Sequence, residues 1–219
     1  MLAKLTLLNT FLNKVLNRNS HDDAKDIASI FLFFSYNTNM TIISCSYKKR
    51  VGKDTFCRIV QELFPDKKVI RVAFADELKE ELDTILLKPN GISRRIFEDP
   101  KVKEIARPLL QGWGTIRREF CDINYWVKRA FWKMNDPNAI YIITDARYLN
   151  EIEFINSQNG HTVHIKRNLD VDSLSEHSSE TELDNYHHLF KYTIENYGTE
   201  AQFKEKIKDL MDKIFAEAA

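Results

Sequence analysis

The sequence is poor in cysteine and has no long apolar run. Cys45, Cys57 and Cys121 are the only cysteines among 219 residues, and their spacing matches no metal-ligand motif. This excludes a disulfide scaffold and indicates a reducing compartment. The longest apolar run, 27–34, is interrupted by Ser29 and is far shorter than the ~20 residues that a bilayer-spanning helix needs. We therefore expect no membrane partner and a cytoplasmic location.

The chain also lacks an excess of either charge. Lys plus Arg and Asp plus Glu both number 32, so the formal net charge is zero. This argues against a protein that coats nucleic acid, and it also weakens the hypothesis that the chain is a nucleic-acid-dependent ATPase. We expect small-molecule partners instead. Hydrophobic residues make up 43% and charged residues 29%, which is typical of one soluble domain with a core.

Residues 1–39 differ from the rest because they contain no glycine and no proline. Apolar residues recur at helical spacing within 2–16, which predicts an amphipathic helix. Asn9, Asn13 and Lys14 interrupt the apolar core that a secretory signal would need. Two interpretations stay open: 1–39 is an N-terminal extension outside the fold, or the biological start is Met40. In both cases the folded domain is 40–219.

From residue 40 onward, predicted strands alternate with predicted helices. The strands are 41–45, 69–74, 139–144, 162–165 and 192–195. The helices are 54–64, 76–87, 104–113, 125–134, 149–157 and 200–216, with a loop at 90–93. This alternation predicts a three-layer α/β/α fold with a central parallel sheet. The polar stretch 168–188 lacks strand periodicity, and with Lys166 and Arg167 it predicts a lid over about 166–190.

The first strand runs into a turn that contains Gly52-Lys53 and precedes a helix, which is the context of a P-loop. The N-terminus of a helix offers unpaired N–H groups and a positive dipole end, so it binds phosphate. Gly52 allows close approach of the backbone, and Lys53 is expected to contact the β- and γ-phosphates. The predicted ATP-binding residues are Tyr47, Lys48, Lys49, Arg50, Val51, Gly52, Lys53, Asp54 and Thr55.

The turn departs from the usual P-loop pattern at two positions. Tyr47 stands where the first glycine is expected, and Asp54 stands where Ser or Thr usually contacts Mg²⁺. A solvated basic turn is the alternative interpretation of the lysines and arginine. Further along, Asp145 follows a buried strand, where ligand groups gather in an open α/β sheet. Arg147 could bind phosphate with two parallel hydrogen bonds. The alternative role of Asp145 is a helix cap, and the alternative role of Arg147 is a surface ion pair.

A series of short motifs follows in order. They are Gly52-Lys53-Asp54-Thr55, Phe74-Ala75-Asp76-Glu77-Leu78-Lys79, Leu110-Gln111-Gly112-Trp113-Gly114-Thr115, Tyr125-Trp126-Val127, Asp145-Ala146-Arg147, 177–184 and Ile194-Glu195-Asn196-Tyr197-Gly198-Thr199. The series resembles the deoxynucleoside monophosphate kinases of phages and large DNA viruses. Leu183-Asp184-Asn185 and Ile194-Glu195-Asn196 are also similar to the ending of animal-type phosphomevalonate kinase. Tyr47 departs from the viral family, whereas Asp54 matches it.

The resemblance implies a P-loop kinase with a lid that uses ATP and Mg²⁺ in deoxynucleotide metabolism, in the host cytoplasm if the chain is viral. Lys53, Asp54 and Arg147 would be catalytic, and Asp54 and Asp145 would hold the metal. The acceptor monophosphate carries nearly two negative charges and needs arginines. Its binding residues would be Asp76, Lys79, Arg107, Gln111, Arg118, Trp126, Asp145 and Arg147. Whether Arg117 or Arg118 faces the acceptor stays open.

Other interpretations remain for the function and for single residues. Gln111 could bind a base edge, and Trp113 or Trp126 could stack on a base, although core packing is the stronger alternative for both tryptophans. Another small phosphorylated acceptor, such as phosphomevalonate, is the runner-up substrate. A nucleotide-binding protein without catalytic activity is a second alternative. A homodimer is compatible with the sequence.

Overall fold

The computed structural model describes residues 40–46, 48–168 and 181–218. The N-terminal segment 1–39, Tyr47 and the centre of the predicted lid, 169–180, lie outside the described residues. The expectations about the N-terminal extension, about the effect of Tyr47 and about lid closure therefore stay predictions.

Five parallel strands form one sheet in the order β2-β3-β1-β4-β5. The strands are β1 Thr41–Ser46, β2 Val69–Val72, β3 Ile140–Ala146, β4 His161–Lys166 and β5 Tyr192–Glu195. Their apolar and β-branched residues suit strands that are covered on both faces. β2 is shorter than predicted because Phe74 already begins the next helix.

In the described part of the chain, six α-helices accompany the sheet: α1 Lys53–Leu63, α2 Phe74–Leu82, α3 Pro100–Phe120, α4 Tyr125–Trp132, α5 Leu149–Ser157 and α6 Glu200–Ala218. The predicted helix 76–87 is divided, because a π-helix, Asp83–Leu87, follows α2. Short 3-10 helices occupy Lys88–Asn90, Arg94–Phe97, Glu182–Asn185 and His187–Leu189.

Helix α3 is much longer than the predicted 104–113. It begins where Asp99 caps it, with Asp99 Oδ1 accepting the Lys101 N–H at 2.8 Å, and where Pro100 suits the first helical position. It also continues past Gly112 and Gly114. Gly114 is buried there, and a Cβ atom on it would lie 2.9 Å from Leu78 Cδ1. Tertiary packing thus overrides the low helix propensity of glycine at this position.

The helices cover both faces of the sheet. Helices α1 and α6 pack on each other and on one face, where the core contains Ile43, Cys45, Phe56, Ile142, Val163, Phe203 and Ile207. Strand residues of the opposite parity face the other way, and α2 and α5 contact the strands there. The predicted three-layer α/β/α fold with a central parallel sheet is confirmed. None of the helices in the described ranges has the length and apolarity that spanning a bilayer requires.

The strand order determines where a ligand can bind. β1 and β3 are neighbours, and the helices that follow them, α1 and α5, lie on opposite faces of the sheet. A crevice forms at the carboxyl ends of such strands. Ser46 at the end of β1 is in register with Ala146 at the end of β3. The glycine-lysine turn and the segment that contains Asp145 and Arg147 therefore share one edge of the sheet.

Candidate active site

The turn between β1 and α1 exposes the N-terminus of α1. Arg50 and Gly52 have positive φ values of 61° and 108°, so the chain reverses sharply before the helix. Gly52 is the N-cap residue, and among the described residues no side chain caps this end. The Gly52 carbonyl accepts the Phe56 N–H at 2.8 Å, which closes the first helical turn. The earlier N–H groups of α1 are directed toward the turn, as anion binding requires.

Lys53 reaches back across this turn. It is the first residue of α1, and its residue exposure is only 8%. Its ammonium group donates a hydrogen bond to the Lys48 carbonyl oxygen. The buried stem and this bond hold the charge over the turn that precedes α1. Since an ammonium group has three donors, it can contact phosphate oxygens from this position.

Residues distant in sequence support the turn from the other side. The Asn196 side-chain amide, directly after β5, donates to the Val51 carbonyl at 2.8 Å. Arg167, directly after β4, donates to the Arg50 carbonyl at 3.3 Å. Lys48 forms an ion pair with Asp184 at 2.8 Å. Asn196 and Asp184 belong to two of the sequence motifs, but neither residue was among the predicted site residues.

A cavity of about 660 Å³ opens beside the turn. Lys48, Lys166 and Arg167 contribute positive charge to its lining, and Tyr197 contributes an aromatic ring. His164 and His187 also line it, with ring centroids 4.5 Å apart. Burial lowers the pKa of His164 to about 4, and the nearby His187, Lys166 and Lys48 add to this shift. His164 is therefore neutral at physiological pH, and the lysines and Arg167 supply the positive charge.

Asp145 lies at the end of β3 and binds the start of α2. Its Oδ1 and Oδ2 accept the backbone N–H groups of Phe74 and Ala75, both at 2.8 Å. Burial raises the pKa of the Asp145 carboxyl above its usual value, although these two hydrogen bonds work in the opposite direction. Asp145 therefore acts as a helix cap, which was the alternative interpretation of this residue. The helix that it caps is α2, which precedes β3 in the chain.

Arg71 connects two of the predicted site carboxylates. Its Nε lies 3.4 Å from Asp54 Oδ1, and its Nη1 lies 3.0 Å from Asp76 Oδ2. Lys79 Nζ lies 3.1 Å from the other oxygen of Asp76. Burial opposes ionisation of Asp76, but Lys79 and Arg71 outweigh it and lower the pKa of this carboxyl. Arg71 was not among the predicted site residues, although an arginine within the strand Val-Ile-Arg-Val is a detectable signal.

Arg118 packs against the turn that follows β3, in which Arg147 precedes Tyr148. The Arg118 guanidinium carbon lies 3.8 Å from the centroid of the Tyr148 ring. The backbone N–H groups of Arg147 and Tyr148 both donate to Glu151 Oε2, at 2.6 and 3.1 Å. Burial raises the pKa of Glu151 to about 8; the Asp145 carboxylate adds to the shift, and Arg118 partly opposes it. Arg118, which belongs to α3, thus contacts the residue that follows Arg147.

Arg117 points elsewhere and binds Glu81 on α2. Glu81 Oε1 accepts from Arg117 Nε at 2.6 Å and from Trp113 Nε1 at 3.0 Å, while Oε2 accepts the Tyr125 hydroxyl at 2.6 Å. Burial opposes ionisation of Glu81, but these hydrogen bonds outweigh it and lower the pKa. The buried carboxylate therefore links α2, α3 and α4. Of the two neighbouring arginines, Arg118 lies at the sheet edge that carries the phosphate turn.

The other predicted acceptor residues are spread along α3 and α4. Arg107 forms two hydrogen bonds with Glu104, at 2.9 and 2.6 Å. Gln111 is partly exposed. Trp126 is only 3% exposed, and its indole N–H donates to the Gly114 carbonyl at 3.1 Å. This places Trp126 in the core, as its packing interpretation expected, and its ring is not accessible to a base in this arrangement.

The donor groups near the turn suit Mg²⁺ in part. No group of three or more His, Cys, Asp or Glu side chains within the described ranges could hold a metal ion. Mg²⁺ in phosphate-transferring enzymes, however, uses one or two carboxylates together with water and the phosphates of the substrate. The Asp54 side chain fits this pattern, because it is 84% exposed next to Lys53. Asp145 uses both of its oxygens to hold α2.

No protein-family model and no curated protein matches the chain. Similar solved structures include a dephospho-CoA kinase from Campylobacter jejuni, at 17% identity and a TM-score of 0.42, covering 80% of this chain and 96% of that one. A shikimate kinase from Aquifex aeolicus has 15% identity and a TM-score of 0.39, and the match covers 81% of this chain and 98% of that one. A shikimate kinase from Acinetobacter baumannii in complex with shikimate has 13% identity and a TM-score of 0.43, and the match covers 82% of this chain and 97% of that one. At these scores the likenesses do not decide the substrate.

Proposed function

We propose that the chain is a kinase that transfers the γ-phosphoryl group of ATP to a deoxynucleoside monophosphate and so forms the diphosphate. One observation carries the proposal. The Gly52-Lys53 turn, which suits a triphosphate, follows β1, and the turn that contains Arg147 and contacts Arg118 through Tyr148 follows the neighbouring strand β3. Two arginines at the second turn suit a monophosphate. Donor and acceptor sites at one sheet edge suit direct transfer, because phosphoryl transfer depends mainly on positioning and charge stabilisation.

The donor would bind along the turn. The N–H groups at the start of α1 would donate to the phosphates, and Lys53 would exchange the Lys48 carbonyl for β- and γ-phosphate oxygens. The cavity that contains Arg167 and Tyr197 borders the turn and is large enough for the sugar and base of the donor. Closure of the predicted lid would exclude water, which otherwise competes for the phosphoryl group.

The acceptor would bind at the end of β3. Arginine binds phosphate through two parallel hydrogen bonds, and Arg118 and Arg147 supply two such groups. The remaining predicted ligands, Asp76, Lys79, Arg107 and Gln111, would contact the sugar and the base. Asp54 would hold Mg²⁺ together with the ATP phosphates. When bound, the metal neutralises charge on those phosphate oxygens.

A coupled ADP-release assay over a panel of deoxynucleoside monophosphates tests the proposal. We expect turnover with at least one monophosphate. Lys53→Ala should reduce it at least ~100-fold, because Lys53 would contact charge that develops in the transition state. Lys68→Ala is the matched control. Lys68 is also paired through its ammonium group, with Asp136, but it precedes β2 at the opposite edge of the sheet. Near-normal turnover in the Lys53 variant would contradict the assigned role.

Phosphomevalonate is included in the panel as the second candidate acceptor. Two motifs that resemble the animal-type phosphomevalonate kinase contact the turn here, since Asp184 pairs with Lys48 and Asn196 binds the Val51 carbonyl. If phosphomevalonate supports ADP release from ATP and none of the nucleoside monophosphates does, the choice of acceptor is reversed. ATP binding without turnover on any acceptor would favour a nucleotide-binding protein that is not an enzyme.

A further inference from the structure

Asn196 is anchored to the sheet and bound to the phosphate turn. It directly follows β5, and its backbone N–H donates to the carbonyl of Lys166, the last residue of β4, at 2.7 Å. Its side-chain amide donates to the Val51 carbonyl at 2.8 Å. The side chain therefore spans from the ends of β4 and β5 to the residue before Gly52, which is 145 residues earlier in the chain.

The turn fits closely against this amide. A Cβ atom on Gly52 would lie only 2.6 Å from Asn196 Nδ2, and Gly52 has a φ of 108° that side chains rarely adopt. Both observations explain why glycine is required here. They also indicate that the backbone conformation of the turn and the position of Asn196 depend on each other.

The hydrogen bond to Val51 also sets the direction of a neighbouring N–H group. The Val51 carbonyl and the Gly52 N–H belong to one peptide unit, which is planar and trans. Because Asn196 holds the carbonyl on its own side, the Gly52 N–H must point away from Asn196. An N–H group that is oriented before a ligand arrives binds an anion without a further ordering cost.

We propose that Asn196 is a positioning residue for the donor phosphates: its amide fixes the Val51–Gly52 peptide and thereby orients the N–H group at the turn. This inference rests on the proposed function, because it assumes that the turn binds the phosphates of ATP. Asn196 touches neither substrate. It acts through the backbone of residues 51 and 52.

Asn196→Asp tests the proposal because aspartate keeps the shape of the side chain and removes the donor. It also places an oxygen against the Val51 carbonyl oxygen. Asn156→Asp is the matched control. The amide of Asn156 donates to the Leu189 carbonyl at 2.9 Å, and its oxygen accepts from Thr162, with neither partner in the turn. Three quantities are measured for each full-length variant: the dissociation constant of ATP without acceptor, the KM of each substrate, and the melting temperature.

We expect Asn196→Asp to weaken ATP binding about tenfold, the effect of losing one well-placed hydrogen bond and gaining a repulsion. The KM of the acceptor should stay within about twofold of the wild-type value, since the Arg118–Arg147 region is unchanged. Asn156→Asp should lower the melting temperature and leave ATP binding unchanged. A residue with only a structural role would not separate the two substrates in this way.

Two results would overturn the inference. One is wild-type ATP affinity in Asn196→Asp. The other is an equal loss of ATP affinity in both variants at an equal loss of melting temperature. Failure of the proposed function gives a different pattern. In that case the wild-type chain binds ATP and Asn196→Asp weakens the binding, but no monophosphate supports turnover.

Discussion

The carboxylate of Asp145 accepts a 2.8 Å hydrogen bond from the backbone N–H of Phe74, which lies 71 residues earlier. Its second oxygen accepts the N–H of Ala75 at the same distance. The N-cap residue of α2 is Ala73, whose side chain cannot accept a hydrogen bond. A residue at the end of β3 therefore caps the helix that follows β2. This relationship joins the two neighbouring strand ends at the candidate acceptor site.

Replacing Asp145 with alanine should destabilise the fold by about 2 kcal/mol. The change leaves two helix N–H groups at a partly buried site without their acceptor. Urea unfolding measures the effect. Asp99→Ala serves as the control, because Asp99 caps α3 at an exposed end through one hydrogen bond, and its loss should cost about 1 kcal/mol or less. Equal losses in the two variants would mean that the second hydrogen bond of Asp145 contributes no stability.

Glu151 should make the stability of the fold depend on pH. Burial raises its pKa to about 8 in the folded chain, whereas an unfolded glutamate titrates near its ordinary value of about 4.3. Between these values the unfolded chain releases a proton that the folded chain retains. Stability therefore falls as pH rises through this window, with a limiting slope of about 1.4 kcal/mol per pH unit.

Glu151→Gln isolates this contribution, since glutamine still offers an oxygen to the N–H groups of Arg147 and Tyr148. The stability of the variant relative to the wild type should rise between pH 5 and pH 8, as measured by urea unfolding at several pH values. His164, with a pKa near 4, contributes a slope of the opposite sign below its ordinary pKa of about 6.5. That slope is common to both proteins and cancels. Parallel pH profiles would show that Glu151 is ionised in the fold.

Two glycines of α3 should respond differently to the same substitution. A Cβ atom on Gly112 would meet no atom within 4 Å, so Gly112→Ala should stabilise the chain by about 0.5–1 kcal/mol through helix propensity. A Cβ atom on Gly114 would lie 2.9 Å from Leu78 Cδ1 and 3.9 Å from Trp126 Nε1. Repacking should therefore cancel or reverse the gain at Gly114. Thermal unfolding of both variants tests this, and equal stabilisation would contradict the packing argument.

Much of the fold was predictable because its signals are local. The strand before residue 46 is a short apolar, β-branched run, and the helix after Gly52 has apolar residues at helical spacing; a short window reveals both patterns. The prediction was wrong for the length of α3, where the burial of Gly114 overrides propensity, and for the helix 76–87, where a π-helix follows Leu82. Patterns within one segment cannot report such tertiary packing.

The positions of some predicted site residues could be read from the sequence, whereas those of others could not. The sequence placed Lys53 in the turn after the first strand and Asp145 at the end of a buried strand. In the structure Lys53 begins α1 after that turn, and Asp145 lies at the end of β3. The sequence did not distinguish Arg117 from Arg118, and the structure separates them because Glu81 binds the first and Tyr148 stacks on the second. These partners come from other elements, so no spacing rule within α3 could identify them.

By itself, the sequence determined the order of strands and helices along the chain and the place of the glycine-lysine turn between them, because β-branched runs, helical spacing and a Gly-Lys pair before a helix are patterns of a few residues. Only the tertiary structure decided which distant groups meet: Asp145 with the start of α2, Arg71 with Asp54 and Asp76, and Asn196 with Val51. Hydrogen bonds and ion pairs form between any donor and acceptor that packing brings within about 3 Å. The sequence pattern does not report the distance between residues that are far apart in the chain, because packing of the core sets the positions of the strand ends.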